Sequence, residues 1–254
     1  MSDNVYALGW DVGGWMGNSN SFVLIEALNG GKQMKWHFSK KNYQLKNDSL
    51  FELDQIVNDL AQKTLSEINT LIIGIDAPLT FPSQFINFLN QEEMYIKKPS
   101  KEIFNPLAYR ATDRYIYNKY GKKPLSATFD RLGNNTTVAI SHLRYWKQKH
   151  LINLDFTELE KNRINVIETY PALCKPSKFA KAFKELNNFI PATIKEGTDQ
   201  YDAALCALMA VQFGSENKFK ILPSLVLPPD SDEVYSKEGW IYHFKFDNIN
   251  KQKE

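Results

Sequence analysis

The run TLIIGIDAPL at residues 70–79 constrains the fold of this chain more than any other segment. It is an apolar stretch of strand length, and such a strand is buried on both faces, as in the parallel part of a sheet that helices cover on two sides. Apolar residues at helical spacing precede it over 49–65, and Ser49 is the predicted helix cap. Because a strand is also predicted before this helix, these segments predict a strand–helix–strand crossover unit.

The first forty residues predict three strands joined by short connections. Strands are predicted at 5–12, 21–28 and 32–39, and Asn-Gly-Gly at 29–31 gives a hairpin signal. Three neighbouring strands of this kind predict an antiparallel meander. The same periodicities predict helices at 136–151, 176–189 and 198–213, and an apolar strand at 164–172.

Together these elements predict an α/β fold with a mixed five-stranded sheet, in which three antiparallel strands are followed by parallel ones and helices cover both faces. Residues from about 80 to 135 are irregular and contain several prolines, which predicts an insertion of short helices and loops. The length of 254 residues fits a single domain, 1–254, that carries this insertion. This order of elements is that of the ribonuclease H-like fold, and also of each half of the actin-like kinases.

Composition and charge narrow the class of protein. The chain is 43% hydrophobic and 24% charged, as expected of a soluble protein with a core. A net charge of +2 gives no global attraction for nucleic acid, so any basic surface must be local. The sequence predicts neither a signal peptide nor a membrane-spanning run of roughly 20 apolar residues, and therefore a cytoplasmic protein without membrane contact. Cys174 and Cys206 are predicted to be reduced, buried thiols.

Three acidic residues, Asp11, Asp76 and Glu168, stand at the ends of predicted apolar strands. The carboxyl ends of strands in such sheets face the crevice where ligands bind. Three carboxylates that converge there repel one another unless a cation neutralises them, and oxygen ligands suit Mg²⁺ or Mn²⁺. Alternatively, each acid caps a nearby loop or pairs with a lysine or arginine.

The last predicted helix contributes two further acids, Asp199 and Asp202, on one face of its first turn. Capping by Thr198 or Asp199, together with the helix dipole, explains Asp199 without any ligand. Asp202 is followed by apolar residues in a helix that is predicted to be buried. A carboxylate in such a place needs a partner, and a metal ion is a suitable one.

Five motifs together resemble a family of uncharacterised proteins described as predicted nucleases with a ribonuclease H-like fold. They are LGWDVGGW, IGIDAPLTFP, RATDR, VIETYPA and DQYDAALCALMAV, spread over residues 8–211. The last motif also resembles the helix of Holliday-junction resolvases, where two aspartates three apart open an alanine-rich helix.

The resemblance implies a carboxylate site that binds two Mg²⁺ or Mn²⁺ ions and hydrolyses phosphodiester bonds of nucleic acid. Its ligands by position are Asp11, Asp76 and either Asp199 or Asp202. Glu168 has no simple counterpart in the resolvase pattern. It is either an alternative third ligand or a residue that orients a substrate-binding arginine.

The RATDR motif offers Arg110 and Arg114, four residues apart, with Asp113 between them. They are either phosphate-contacting arginines held by an acid or an intrahelical network of ion pairs. Basic and aromatic residues alternate around the motif between 97 and 123, a composition that single-stranded nucleic-acid binding uses and that lysines over packed tyrosines also produce. The basic residues are Lys97, Lys98, Lys101, Arg110, Arg114, Lys119, Lys122 and Lys123.

Two other functions remain open at this stage. An actin-like sugar kinase also begins with a strand, an aspartate and glycines whose amides hold phosphate, but it needs a second glycine-rich half to bind ATP. A protein that keeps the fold without catalysis is the other alternative. The sequence leaves open which nucleic acid is cut, whether the substrate is instead a small phosphorylated molecule, and whether the chain forms a homodimer.

Overall fold

A computed structural model of the chain describes residues 4–17, 19–92, 95–130, 132–154, 159–174, 186–229 and 233–245. The strands are β1 (Val5–Asp11), β2 (Ser21–Leu28), β3 (Gln33–Phe38), β4 (Leu71–Asp76), β5 (Ile152–Asn153), β6 (Ile164–Thr169) and β7 (Ile241–Tyr242). The helices are α1 (Leu53–Ala61), α2 (Ser83–Leu89), α3 (Ala111–Tyr120), α4 (Leu132–Lys147), α5 (Asp199–Gly214) and α6 (Glu233–Glu238). The predicted α/β class is therefore confirmed.

The strands form one mixed sheet in the order β3-β2-β1-β4-β6-β5, and β7 pairs with the end of β6. β1, β2 and β3 are antiparallel neighbours, whereas β4, β5, β6 and β7 join in parallel. Three antiparallel strands followed by parallel ones were predicted correctly. Within the described residues the sheet has seven strands rather than the predicted five, because β5 and β7 have only two residues each and no pattern of alternation marks them.

Helices cover both faces of the sheet, as predicted. Successive residues of β1 and β4 alternate between two apolar layers. Ala7 and Ile72 pack in the layer of α5, whereas Leu8 and Ile73 pack in the opposite layer with α1 and α4. Because side chains in a strand alternate between the two faces, the residues two and four positions after Ala7 and Ile72 also point toward α5.

Helix α5 lies directly on the two central strands because each has a glycine beneath it. A Cβ atom on Gly9 would lie 1.9 Å from the backbone oxygen of Ala203, and one on Gly74 would lie 2.5 Å from that of Cys206. Gly9 and Gly74 are register partners. The absence of two side chains thus lets the helix backbone contact the sheet backbone.

The contacts of Gly214, the last residue of α5, show the direction of the helix relative to the strands. A Cβ atom on Gly214 would meet the side chains of Val5 and Ile72, where β1 and β4 begin. The helix therefore runs against the parallel strands. Its first turn lies at the carboxyl edge of the sheet, where β1 and β4 end.

Several predicted helix boundaries shift. Helix α1 begins at Leu53, and Ser49 does not cap it, because the Ser49 hydroxyl donates to the carbonyl of Lys46 in a preceding turn. Helix α4 begins and ends four residues before the predicted 136–151. Most of the predicted helix at 176–189 lies outside the described residues, and Leu186–Asn188 form a 3₁₀ turn.

The inserted region holds α2, a 3₁₀ turn at Glu102–Phe104 and α3, joined by loops. Glu238 at the end of α6 fixes both helices at their first residues. One carboxylate oxygen accepts from the Ser83 amide at 2.8 Å, and the other accepts from the Ala111 amide at 2.7 Å. A single side chain therefore caps two helices that are distant in sequence.

Helix α5 has the predicted cap. The hydroxyl of Thr198 accepts from the Tyr201 amide at 3.3 Å. We expect Thr198→Ala to lower the free energy of unfolding by about 1 kcal/mol, because an amide of the first turn loses its acceptor. Urea titration measures this, and Thr198→Ser should retain the stability of the parent. An alanine variant as stable as the parent would show that the cap contributes nothing.

Two further expectations from the sequence concern the environment of the protein. Cys174 and Cys206 are free and buried, as predicted. In the part of the chain that the structure describes, no helix has both the length and the apolar character needed to cross a bilayer.

Candidate functional site

Asp11 and Asp76 form a pair at the carboxyl edge of the sheet. They end β1 and β4 and are register partners on neighbouring parallel strands, whose backbones lie about 4.8 Å apart. Each follows its strand glycine by two residues, so both carboxylates project toward the α5 face. Both residues are partly buried. The structure thus brings together the first two predicted site residues, called the acid pair below.

The first turn of α5 brings a third acid to this region. Burial raises the pKa of the Cys206 thiol, and the charges of Asp76, Asp11 and Asp202 raise it further. Ala203, the residue after Asp202, contacts Gly9 of β1, so Asp202 lies beside the carboxyl end of that strand. Asp199 instead accepts a hydrogen bond at 2.9 Å from the side-chain amide of Asn42, in the loop after β3.

The predicted five acids do not all converge as one ligand set. Within the described ranges, no group of three or more aspartate, glutamate, histidine or cysteine side chains is arranged to hold a metal ion. Mg²⁺ usually keeps several waters and binds through one or two carboxylates plus substrate phosphates, so the acid pair alone suits such an ion. The donor set fits the predicted metals, with fewer protein ligands than the resemblance implies.

Glu168 stands apart from the acid pair because of strand register. It pairs with Ile75 rather than Asp76, so its side chain leaves the opposite face of the sheet. There it binds Arg110: the two terminal guanidinium nitrogens donate to its two carboxylate oxygens at 2.7 and 2.6 Å. This is the bidentate geometry in which arginine binds carboxylates most strongly.

Arg110 is completely buried and immediately precedes α3. Its Nε and Nη2 atoms donate to Asp113 at 3.2 and 3.0 Å, and Nη1 also donates to Thr80 at 3.3 Å. All five guanidinium hydrogens therefore have protein acceptors. Arg114 lies within α3, and its guanidinium donates to the Tyr109 carbonyl at 2.7 Å. The two arginines do not share one helix face, because Arg110 has extended backbone geometry.

One cation in this cluster faces two buried carboxylates. Burial opposes the charge on Arg110, but Asp113 and Glu168 outweigh it and raise its pKa. Burial also raises the pKa of Glu168, while the adjacent arginine acts in the other direction. Arg110, Asp113 and Glu168, called the arginine cluster below, depend on one another for charge balance.

A cavity of about 230 Å³ joins the acid pair to the arginine cluster and is called the site cavity below. It is lined by Asp11, Asp76, Ala77, Pro78, Arg110, Asp113, Pro124, Leu125, Leu132, Asn135, Glu168, Thr169, Tyr170, Ala172 and Ile241. Arg114, Asp199 and Asp202 are not in this lining. A larger hollow of about 740 Å³ near residues 45–50 contains none of the predicted site residues.

Sequence reasoning missed three residues that shape the site: Asn135, Tyr170 and Glu238. Asn135 lines the cavity and donates to the Val12 carbonyl at 2.6 Å, which holds the loop after β1. Tyr170 directly follows β6, and this position after a strand was the available signal. No sequence pattern marks Asn135 or Glu238.

The glycine loop after β1 is held by the protein itself. The Gly13 amide donates to Asn20 at 3.0 Å, and the Trp15 amide donates to Asn134 at 3.3 Å. The Gly17 amide donates to the carbonyl of Gly14 at 2.9 Å. A kinase of the actin-like type needs amides of this loop for phosphate, so this arrangement weighs against that alternative.

The basic stretch divides into two parts. Lys119 donates to Tyr115, Lys122 lies over the ring of Tyr170, and Lys123 pairs with Glu102. These three lysines match the interpretation of lysines over packed tyrosines. Exposed lysines at 97, 98 and 101 remain compatible with a nucleic-acid surface.

Known proteins give no independent identification. The chain matches no protein-family model, no curated protein and no solved structure.

Proposed function

We propose that this chain is a metal-dependent nuclease with a ribonuclease H-like fold, which hydrolyses phosphodiester bonds at the acid pair. The observation that carries the proposal is the register pairing of Asp11 with Asp76 at the carboxyl edge, where the first turn of α5, which contains Asp202, also lies. The strand order, with β4 parallel to the first strand of an antiparallel meander, supports the fold assignment. Two free buried thiols support a cytoplasmic location.

The acid pair would hold Mg²⁺ or Mn²⁺, and Asp202 is the best-placed acid for a second ion. When bound, the ions supply a water that is nucleophilic at neutral pH and neutralise charge on the leaving oxygen. Asp11 and Asp76 would orient the phosphate through the ions that they hold, because two bare carboxylates repel it. The amino end of α5 adds a positive dipole end beside them, which favours the negative charge that the reaction develops.

Arg110 is proposed as a positioning residue rather than a phosphate ligand. Its five donors are engaged by protein acceptors, and it fixes Glu168 and Asp113 in the cavity wall. Glu168 correspondingly orients the arginine and is not proposed to bind metal. The single positive charge of Arg110 thereby offsets one of the two carboxylate charges in the cavity wall next to the acid pair.

The test is cleavage of single-stranded DNA, duplex DNA, RNA, an RNA–DNA hybrid and a junction by the purified chain with Mg²⁺ or Mn²⁺. We expect cleavage that a chelator abolishes, and rates on the order of 100-fold lower for Asp11→Asn and Asp76→Asn. Asp48→Asn, at an exposed position outside the site, is the matched control. Cleavage that persists in chelator, or in both site variants, contradicts the proposal.

Stability gives a second test of the acid pair. Without metal, we expect Asp11→Asn to be at least as stable as the parent, because the substitution removes repulsion between two adjacent carboxylates. Mg²⁺ should raise the melting temperature of the parent and not that of the variant. Strong destabilisation of the metal-free variant would make Asp11 a structural acid. Stabilisation by ATP instead of metal would favour the kinase, and binding without cleavage would favour an inactive protein of the same fold.

A further inference from the structure

We infer that the site cavity accepts one unstacked nucleobase, so that the substrate is a single-stranded or frayed nucleic acid. The inference rests on the proposed nuclease function and adds the substrate class to it. The chemistry recognised is a flat heteroaromatic ring attached, through its sugar, to the phosphate at the acid pair.

The lining of the cavity combines charged and apolar residues. The acid pair and the arginine cluster are the charged part. The apolar part comprises Ala77, Pro78, Pro124, Leu125, Leu132, Tyr170, Ala172 and Ile241. Apolar lining next to a polar anchoring group is what recognition of a base attached to a phosphate requires.

The volume of the cavity, about 230 Å³, is sufficient for one heterocyclic base. A base within a duplex is stacked and paired, and must leave the helix before it can reach such a pocket. Unpaired strands avoid this cost, so they are the favoured substrates.

Pro124 and Leu125 of the lining belong to a loop, residues 124–130, that hydrogen bonds hold in place. The Ser126 hydroxyl donates to the Ala108 carbonyl at 2.8 Å, and the Thr128 hydroxyl donates to the Leu107 carbonyl at 2.9 Å. The Ser126 amide donates to Asp130 at 2.7 Å. The loop therefore holds its conformation before any ligand binds, which reduces the entropy cost of binding.

This fixed loop presents two large apolar side chains to solvent. Leu125, at the cavity wall, is 52% exposed, and Phe129 is 61% exposed. Phe85 of α2 meets Phe129 with the ring planes at 84°, so the contact leaves ring surface of Phe129 uncovered. An exposed aromatic ring near a base-sized cavity is suited to stacking the neighbouring base of the same strand.

The experiment combines cleavage with binding. Cleavage with Mg²⁺ is compared for one single-stranded oligonucleotide, its blunt duplex, and a version with one abasic site. We expect the single strand to be cut at least about tenfold faster than the duplex, and the phosphodiester next to the abasic site to resist cleavage. Equal cleavage of the three substrates overturns the inference and leaves the nuclease proposal standing.

Binding separates the two proposals further. Fluorescence anisotropy of the single-stranded oligonucleotide is measured with Ca²⁺ in place of Mg²⁺, so that the acid pair holds a cation and does not repel the phosphate. Phe129→Ala and Leu125→Ala should each weaken binding about tenfold, whereas Leu151→Ala, at an exposed leucine beside the opposite edge of the sheet, should not. Unchanged affinity in both loop variants overturns the base-binding role. Absence of cleavage on every substrate overturns the nuclease function, whichever result the binding gives.

Discussion

Replacing Gly9 with alanine should destabilise the protein by about 3 kcal/mol. The new Cβ atom would lie 1.9 Å from the Ala203 backbone oxygen and 2.5 Å from the Ala207 backbone nitrogen. Neither atom belongs to a side chain that can rotate away. Helix α5 must therefore move off β1, which also breaks its contact with β4. Urea unfolding, extrapolated to water, measures the loss.

Gly14→Ala is the matched control for this prediction. Its Cβ atom would also meet an atom at about 2 Å, but that atom is the Nδ2 end of the Asn134 side chain, 2.1 Å away. A side-chain end can rotate, at the cost of one hydrogen bond to Trp15, so we expect a loss of about 1 kcal/mol. Equal losses at the two positions would show that α5 is not in backbone contact with the sheet.

Arg110→Met should cost about 3 to 5 kcal/mol, the other large effect that the structure predicts. Methionine fills a similar volume but leaves Glu168 and Asp113 buried without their cation. The desolvated carboxylates then repel each other, and several hydrogen bonds are lost at once. The free energy of unfolding measured in urea should show the loss without a change of fold in the far-ultraviolet spectrum.

The loss should also depend on pH. Burial already raises the pKa of Glu168, and removing Arg110 takes away the group that opposes this shift. The native variant then retains a proton at pH values where the unfolded chain has lost it. Its stability therefore falls as pH rises from the ordinary carboxyl range, and recovers in acid. The gap between variant and parent should be smaller at about pH 5 than at about pH 8.

Two comparisons make this prediction specific. Arg114→Met removes a partly buried arginine with one hydrogen bond, to the Tyr109 carbonyl, and should cost only about 1 kcal/mol. Adding Glu168→Gln to Arg110→Met removes the uncompensated charge and should recover part of the stability. If Arg110→Met lowers the free energy of unfolding only slightly and equally at all pH values, Glu168 and Asp113 do not need the charge of Arg110 to remain buried.

The sequence was sufficient for the parts of the site that local pattern determines. Apolar runs that end in an acid placed Asp11 and Asp76 at strand ends, and parallel pairing then brought them to the same edge. The helix containing Asp202 was predicted to within one residue, because its cap and its apolar length are both local signals. These features depend on neighbours in sequence.

What the sequence could not give depends on register and on distant partners. Glu168 lies one residue out of phase with Asp76, and nothing within VIETYPA indicates which face of the sheet it occupies. Arg110 meets it across 58 positions, and Glu238 reaches Ser83 across 155. The predicted Ser49 cap was wrong because of a local contact instead: the Ser49 hydroxyl donates to the carbonyl of Lys46, three residues earlier.

The site cavity draws its lining from Asp11 near the beginning of the chain to Ile241 near its end. Translation delivers these residues in order, at about 5 to 20 residues per second, so the acid pair leaves the ribosome well before the strand that closes the cavity. A chain still being translated has the acids and no enclosed site around them.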